Sequence, residues 1–184
     1  MSNLLYIFGP PGSGKTTLVD ALVRGQDRWP LRVGTVRAVN YQPADVTELG
    51  VRDPSRGQFG GTDGLAMSVM PQACDVLEDY ARQGDDLMAE GDRLASPIFF
   101  NAAKSAGYDL ELVFMDCPVD VADSRRRARG TSQNAAWVTG RRTKANHLVE
   151  AWDPVHLDAT KPVRDLVADL QAASMVAARF RAAT

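Results

Sequence analysis

The sequence predicts an α/β protein: three layers, α/β/α, around a five-stranded, mainly parallel sheet. Three observations predict it. Apolar runs of strand length alternate along the chain with amphipathic helical stretches, an order that puts helices on both faces of a parallel sheet. The first apolar run, Leu4-Leu5-Tyr6-Ile7-Phe8, leads straight into Gly9-Pro10-Pro11-Gly12-Ser13-Gly14-Lys15-Thr16-Thr17. That stretch satisfies G-x-x-x-x-G-K-[ST], the Walker A pattern, which is built as strand, glycine-rich turn and helix N-terminus. Finally, 184 residues with 45% apolar and 24% charged side chains suit one domain with a sizeable core.

The elements follow in order. Leu18 to Val23 continues the helix opened by the loop, and Gly25 stops it. Leu31 to Tyr41, rich in Val, reads as one strand, and Val46 to Gly50 as the return strand of a hairpin after the turn signal Gln42-Pro43-Ala44-Asp45. Arg52 to Gly64 holds four glycines and one aromatic and reads as a loop. Ala73, Val76, Leu77, Tyr80 and Ala81 mark an amphipathic helix that Pro71 opens and Gly84 ends. Leu87 to Ala89 is a short strand delivering Glu90-Gly91-Asp92-Arg93. Ser96-Pro97 is an N-cap and first-turn pair for a helix closing at Gly107. Leu110 to Met115 is a strand ending in Asp116-Cys117-Pro118. Helices over Val119–Arg129 and about Ala135–Ala151, a strand at Val155–Ala159 and a helix after Lys161-Pro162 complete the chain. No linker or repeat divides it, so residues 1–184 read as one domain.

Composition excludes several classes. A net charge of −2 argues against a protein coated in positive charge for bulk nucleic-acid binding, without excluding a local patch. The cysteines, Cys74 and Cys117, have no metal or disulfide spacing, nor do His147 and His156 form a metal pattern. No apolar run approaches the roughly 18–20 residues that span a bilayer, and no signal peptide precedes the first strand, so a cytoplasmic location with no membrane partner is expected.

The Walker A loop implies bound ATP and Mg²⁺. Backbone N–H groups of Gly9 to Thr17 face phosphate oxygens, Lys15 adds a point charge to them, and the Thr16 hydroxyl suits a Mg²⁺ ligand. No D-x-x-G or N-K-x-D motif supports a GTPase, and a ring ATPase needs more chain. The stretch resembles the P-loop NTPases, and nearly the whole chain resembles their nucleoside- and nucleotide-kinase group. Glu90 to Arg93 looks like that group's acid-plus-Arg signature. Cys117-Pro118 and the helix after it look like the entry to an arginine-rich lid, about residues 119–150. Val155 to Pro162 looks like the last strand and the loop beside the adenine.

The lid is chemically pointed. Residues 124–149 hold Arg125, Arg126, Arg127, Arg129, Arg141, Arg142 and Lys144 and no acid, which suits neutralising a transferred phosphoryl group. A solvated basic face is the plainer alternative. On this resemblance, Lys15, Glu90, Asp92, Arg93, Arg125 and Arg129 are the catalytic candidates. Asp92 is the base for the acceptor hydroxyl, and Glu90 holds Mg²⁺ through water, with Thr16 as the other metal-site residue; the two acids are exchangeable at this stage. Asp116 also fits the pattern of an apolar run followed by Asp, and its plainer reading is a structural strand end. Arg126, Thr160, Lys161 and Pro162 join the loop as nucleotide-binding candidates.

The acceptor side is expected in an insertion at about 31–64 and beyond the lid arginines. Arg52, Phe59, Thr62, Asp63, Gln133, Trp137, Arg141 and Lys144 are its candidates. Together with Glu90 to Arg93 they resemble the bacteriophage-encoded kinases of 5-hydroxymethyluracil in DNA. The resemblance implies a DNA substrate carrying a modified pyrimidine, with the host cytoplasm as location. Phe59 or Trp137 would stack on a flipped base and the lid cations would meet phosphates. Two alternatives stand beside it: a kinase of a free nucleoside, nucleotide or other small hydroxyl compound, and an ATP-binding regulatory module with little turnover.

Overall fold

The computed structural model describes residues 2–52, 60–130 and 133–180. The acceptor candidate Phe59 lies outside them. The sheet has seven strands rather than five: β1 (Asn3–Phe8), β2 (Asp27–Val33), β3 (Val36–Gln42), β4 (Val46–Leu49), β5 (Asp86–Glu90), β6 (Asp109–Asp116) and β7 (Val155–Asp158). Their order across the sheet is β2-β3-β4-β5-β1-β6-β7. From β4 to β7 every neighbouring pair is parallel; β2–β3 and β3–β4 are antiparallel.

The count differs because the Val-rich run expected as one strand is folded in two and because the whole hairpin, return strand included, is continuous with the main sheet. A two-residue turn at Gly34-Thr35, with Gly34 at φ +58°, sets Val33 opposite Val36 and extends β2 back to Asp27. The return strand expected at Val46 is there, with Tyr41 opposite Val46, and it also pairs with β5 in the parallel core.

The helices are α1 (Lys15–Leu22), α2 (Met70–Gln83), α3 (Pro97–Ser105), α4 (Val119–Ala128), α5 (Ala135–Trp152), α6 (Val163–Ala173) and α7 (Met175–Ala178). Caps follow the residue chemistry. Gly84 closes α2 in the left-handed region, and the Ser96 hydroxyl accepts the Phe99 N–H at the start of α3. One sheet face packs Tyr6, Phe8 and Leu87 against Leu77, Phe99, Phe100 and Leu148 of α2, α3 and α5. The other packs Ile7, Met88 and Val113 against Leu18, Ala122, Leu166 and Val176 of α1, α4, α6 and α7. Because β4, β5, β1, β6 and β7 run the same way, their carboxyl ends form one rim, where ligands of such sheets bind.

Candidate active site

The loop between β1 and α1 is fixed by close packing. A Cβ on Gly12, at φ +90°, would sit 2.5 Å from the Ala122 carbonyl oxygen of α4, so only glycine lets α4 lie against the loop. Gly14 takes the left-handed conformation at the N-cap of α1, whose first turn carries no acid to compete with an anion. The Lys15 ammonium is buried and donates to the carbonyls of Gly9 (3.0 Å) and Pro10 (3.2 Å), curled over its own loop.

Beside it, the Thr16 hydroxyl donates to Glu90 Oε1 at 2.9 Å. Glu90 ends β5, next to β1, and is 1% exposed. Burial pushes its carboxyl above the ordinary glutamate range, although Arg52 and Lys15 pull the other way. Arg52 is the hub of this corner. Its guanidinium bonds Glu48 at 2.7 and 2.9 Å, Glu90 Oε1 at 3.1 Å and Asp20 at 3.2 Å. The Tyr41 hydroxyl donates to Glu48 Oε2 at 2.7 Å, an oxygen it shares with Arg52 Nε. Gly61 covers the cluster, since a Cβ there would lie 2.4 Å from the Glu90 carbonyl oxygen. These are hard oxygen ligands at a phosphate loop, and they fit a Mg²⁺ held jointly with phosphate and water. No group of three or more His, Cys, Asp or Glu among the described residues would hold a metal alone.

Asp92 faces the cavity from the other side. Its carboxylate is ion-paired to Arg141 and, at 3.3 Å, to Lys144, whose ammonium also donates to the Asp92 carbonyl at 2.7 Å. The turn bearing it is pinned by Asp63, whose Oδ1 accepts the N–H groups of Asp92 (2.9 Å) and Arg93 (3.1 Å). Arg93 bonds Met67 and the Asp63 carbonyl. Trp137, 39% exposed, lies 5.3 Å from the Arg141 guanidinium. A cavity of about 270 Å³ joins the phosphate loop to this side; Gly9, Lys15, Thr16 and other loop residues line it together with Asp63, Met67, Asp92, Arg93, Arg126, Arg129, Gln133, Trp137 and Arg141.

A second cavity, about 340 Å³, opens on the far side of the loop between Gly12–Gly14, Leu18, Arg125, Ala159, Lys161 and Leu166. Arg125 bridges its walls, donating to Ser13 O (3.3 Å) and Ala159 O (2.9 Å). The last-strand loop therefore reaches it through Lys161, whereas Thr160 is turned to Asp158 and Pro162 caps α6 outside the lining. Arg126 pairs with Asp123 at 2.6 Å, and Arg129 bonds the Arg125 carbonyl at 3.3 Å.

The sequence candidates thus fall into three groups. Asp63, Gln133, Trp137 and Arg141 line the first cavity, and Lys144 holds Asp92. Arg52 and Thr62 are buried within the protein, Arg52 in the carboxylate cluster and Thr62 3.4 Å from the Tyr6 hydroxyl. Asp116 is exposed, 4.0 Å from His156 and on neither cavity wall. Sequence reasoning missed Glu48, Tyr41 and Asp20, whereas Met67, expected on the acceptor side with Asp63, does line the first cavity. Glu48 did carry a signal, because it is an acid inside the short strand-forming run Val46–Leu49, all of which is buried.

This arrangement of phosphate loop, strand-end acids and arginine-bearing helices α4 and α5 is that of a P-loop kinase, a phosphotransferase. More narrowly, the chain belongs to the P-loop Nucleotide Kinase3 family, which matches residues 1–173. Among solved structures, it is similar to a sugar kinase from a Janibacter species, with 12% identity over 94% of each chain and a TM-score of 0.55. It is likewise similar to a gluconokinase from Sinorhizobium meliloti, with 13% identity over 97% of this chain and 91% of the other, and a TM-score of 0.56. At such identities the likeness is one of fold. No curated protein matches the sequence. No helix among the described residues is long and apolar enough to cross a membrane.

Proposed function

We propose that this kinase transfers the γ-phosphate of ATP to the hydroxymethyl group of 5-hydroxymethyluracil in DNA. The observation that carries the reading is the cavity in which the Walker A loop, Asp92 and a half-exposed tryptophan backed by an arginine meet. Trp137 offers a stacking face to a base taken out of the helix, and Arg141 reinforces it. Gln133 supplies an amide at the same wall, suited to a base edge.

The roles follow from position. The loop amides and Lys15 hold the β- and γ-phosphates, and the second cavity takes the adenine between Arg125 and the apolar side of Leu166. Thr16 and Glu90 would hold Mg²⁺, which neutralises phosphate charge when bound. Asp92 accepts the proton of the acceptor hydroxyl. The hydroxyl oxygen then bonds to the γ-phosphorus, and the bond from that phosphorus to its bridging oxygen breaks, leaving ADP. Arg93, Arg126 and Arg129 spread cationic charge around the moving phosphoryl group.

A free nucleoside, nucleotide or other small hydroxyl compound is the second reading. It is favoured by the net charge of −2 and by the sugar and gluconate acceptors named for the two kinases of similar fold. γ-Labelled ATP offered with hydroxymethyluracil-containing duplex, and separately with free nucleosides, nucleotides and sugars, distinguishes the two. Label in the DNA alone is expected. Label only in a free compound overturns the DNA reading.

A further inference from the structure

The β2–β3 hairpin is not used by the catalytic cavity, yet it carries a concentration of positive charge. Residues 24–37 hold Arg24, Arg28, Arg32 and Arg37 and a single acid, Asp27. By strand alternation Arg28 and Arg32 share a face of β2, and Arg37, directly opposite Arg32, lies on that same face. Arg28 and Arg32 are exposed and Arg37 is half-buried. Like charges set directly opposite across an antiparallel pair are destabilising. Among the described residues, none of these three arginines has an ion pair, whereas Arg52, Arg82, Arg126, Arg141, Arg164 and Arg179 all do. Trp29, 61% exposed, stands between them in sequence.

The hairpin also points the right way. β4 is parallel to β5, and β3 is antiparallel to both β4 and β2, so the Gly34-Thr35 turn lies at the sheet end that carries Glu90 and Asp92. The Gly50 N–H donates to the Arg37 carbonyl at 2.8 Å, tying the turn to the chain that enters the carboxylate cluster. At roughly 4.8 Å per strand, β3 and β2 lie about 10 and 14 Å from β5. That offset equals about three to four base-pair rises of duplex DNA.

We infer that the Arg28, Arg32 and Arg37 face of this hairpin is a docking surface for the phosphate backbone of duplex DNA, holding the strand while one base enters the cavity. The inference rests on the DNA-base reading above and supplies what a net negative protein needs to approach a polyanion. Phosphate contacts of this kind position the duplex without reading its sequence.

The test measures binding without catalysis. A fluorescein-labelled duplex of ordinary bases is titrated with wild-type protein and with Arg32→Gln/Arg37→Gln across a salt series, by anisotropy. The double variant is expected to bind at least tenfold more weakly and to lose about two from the slope of log K against log salt, near 0.9 per phosphate contact. Its melting temperature is expected to equal or slightly exceed that of wild type, since an opposed like-charge pair is removed, and its DNA-free ATP consumption to stay at the wild-type value. Arg82→Gln/Arg164→Gln, which removes equal charge from α2 and α6, is expected to bind as wild type. Equal affinity and slope in wild type and Arg32→Gln/Arg37→Gln, equal losses in both double variants, or no DNA binding by wild type would each overturn the docking surface. Failure of the base-kinase reading looks different: binding that depends on Arg32 and Arg37, with no label transferred to hydroxymethyluracil DNA.

Discussion

Arg52→Met should both destabilise the protein and weaken its metal site. The guanidinium, 4% exposed, lies between Glu48 and Glu90, whose side chains are 0% and 1% exposed. Methionine keeps much of the volume and removes the charge, leaving two buried carboxylates without their shared cation. Breaking a buried pair from one side costs about 3–5 kcal/mol. At about 2–4 °C per kcal/mol for a chain of this size, the melting temperature should fall by roughly 6–20 °C. The cost should shrink in Arg52→Met/Glu48→Gln, which removes one orphaned charge, so the two changes should be non-additive. Arg52 is also one of the two cations that lower the Glu90 pKa against burial. Without it the Glu90 carboxyl titrates at still higher pH, so at a fixed neutral pH less of it is ionised and more Mg²⁺ is needed for half-maximal turnover. Differential scanning calorimetry and Mg²⁺ activation curves at two pH values read both effects. A melting temperature within about 2 °C of wild type, with an unchanged Mg²⁺ requirement, would refute the idea that Arg52 orders Glu90.

Further expectations follow from the same geometry. Lys15→Ala removes the cation at the phosphates and should cut transfer by about 10²–10³-fold or more in a label-transfer assay, with the fold intact by circular dichroism. Asp92→Asn should lower kcat by about 10²–10⁴-fold while ATP affinity, read by calorimetry, stays near wild type; unchanged turnover would take the base role from Asp92. Gly61→Ala forces a Cβ to 2.4 Å from the Glu90 carbonyl oxygen at a residue with φ +60°, so it should lower the melting temperature and Mg²⁺-dependent turnover together. Glu90→Gln bears on pH. Because the folded protein raises the Glu90 pKa, the stability its protonated form contributes is lost as pH rises through that folded value. The variant, uncharged throughout, should gain melting temperature relative to wild type as pH rises above the ordinary glutamate range, and lose metal-dependent turnover.

The parts legible in the sequence were those whose chemistry demands fixed residue types at short spacing. Gly9 to Thr17 is one, because glycine is needed where Gly12 lies against α4 and where Gly14 takes φ +96°. The cap at Ser96 and the stop at Gly84 are others. The hairpin was only half legible. Val33 and Val36 face each other across Gly34-Thr35, so the apolar run passes through the turn without a break in composition. Arg52 read as an acceptor-side loop residue because two of its three partners are far along the chain. Asp20 and Glu90 are 32 and 38 residues away, and nothing local says that β4, β5 and α1 converge there. Asp63 was found for the right neighbourhood, yet its bonds to the Asp92 and Arg93 amides needed the fold to be seen.

The central claim concerns which oxygen receives the phosphate. Hydroxymethyluracil duplex is incubated with γ-labelled ATP, Mg²⁺ and wild-type protein, digested to nucleosides under conditions that spare phosphate esters, and the labelled product is identified by mass spectrometry. The account predicts label on the hydroxymethyl oxygen of the modified base and none in a matched thymine duplex. Label at a 5′-terminal hydroxyl, or label released only as inorganic phosphate, would contradict it.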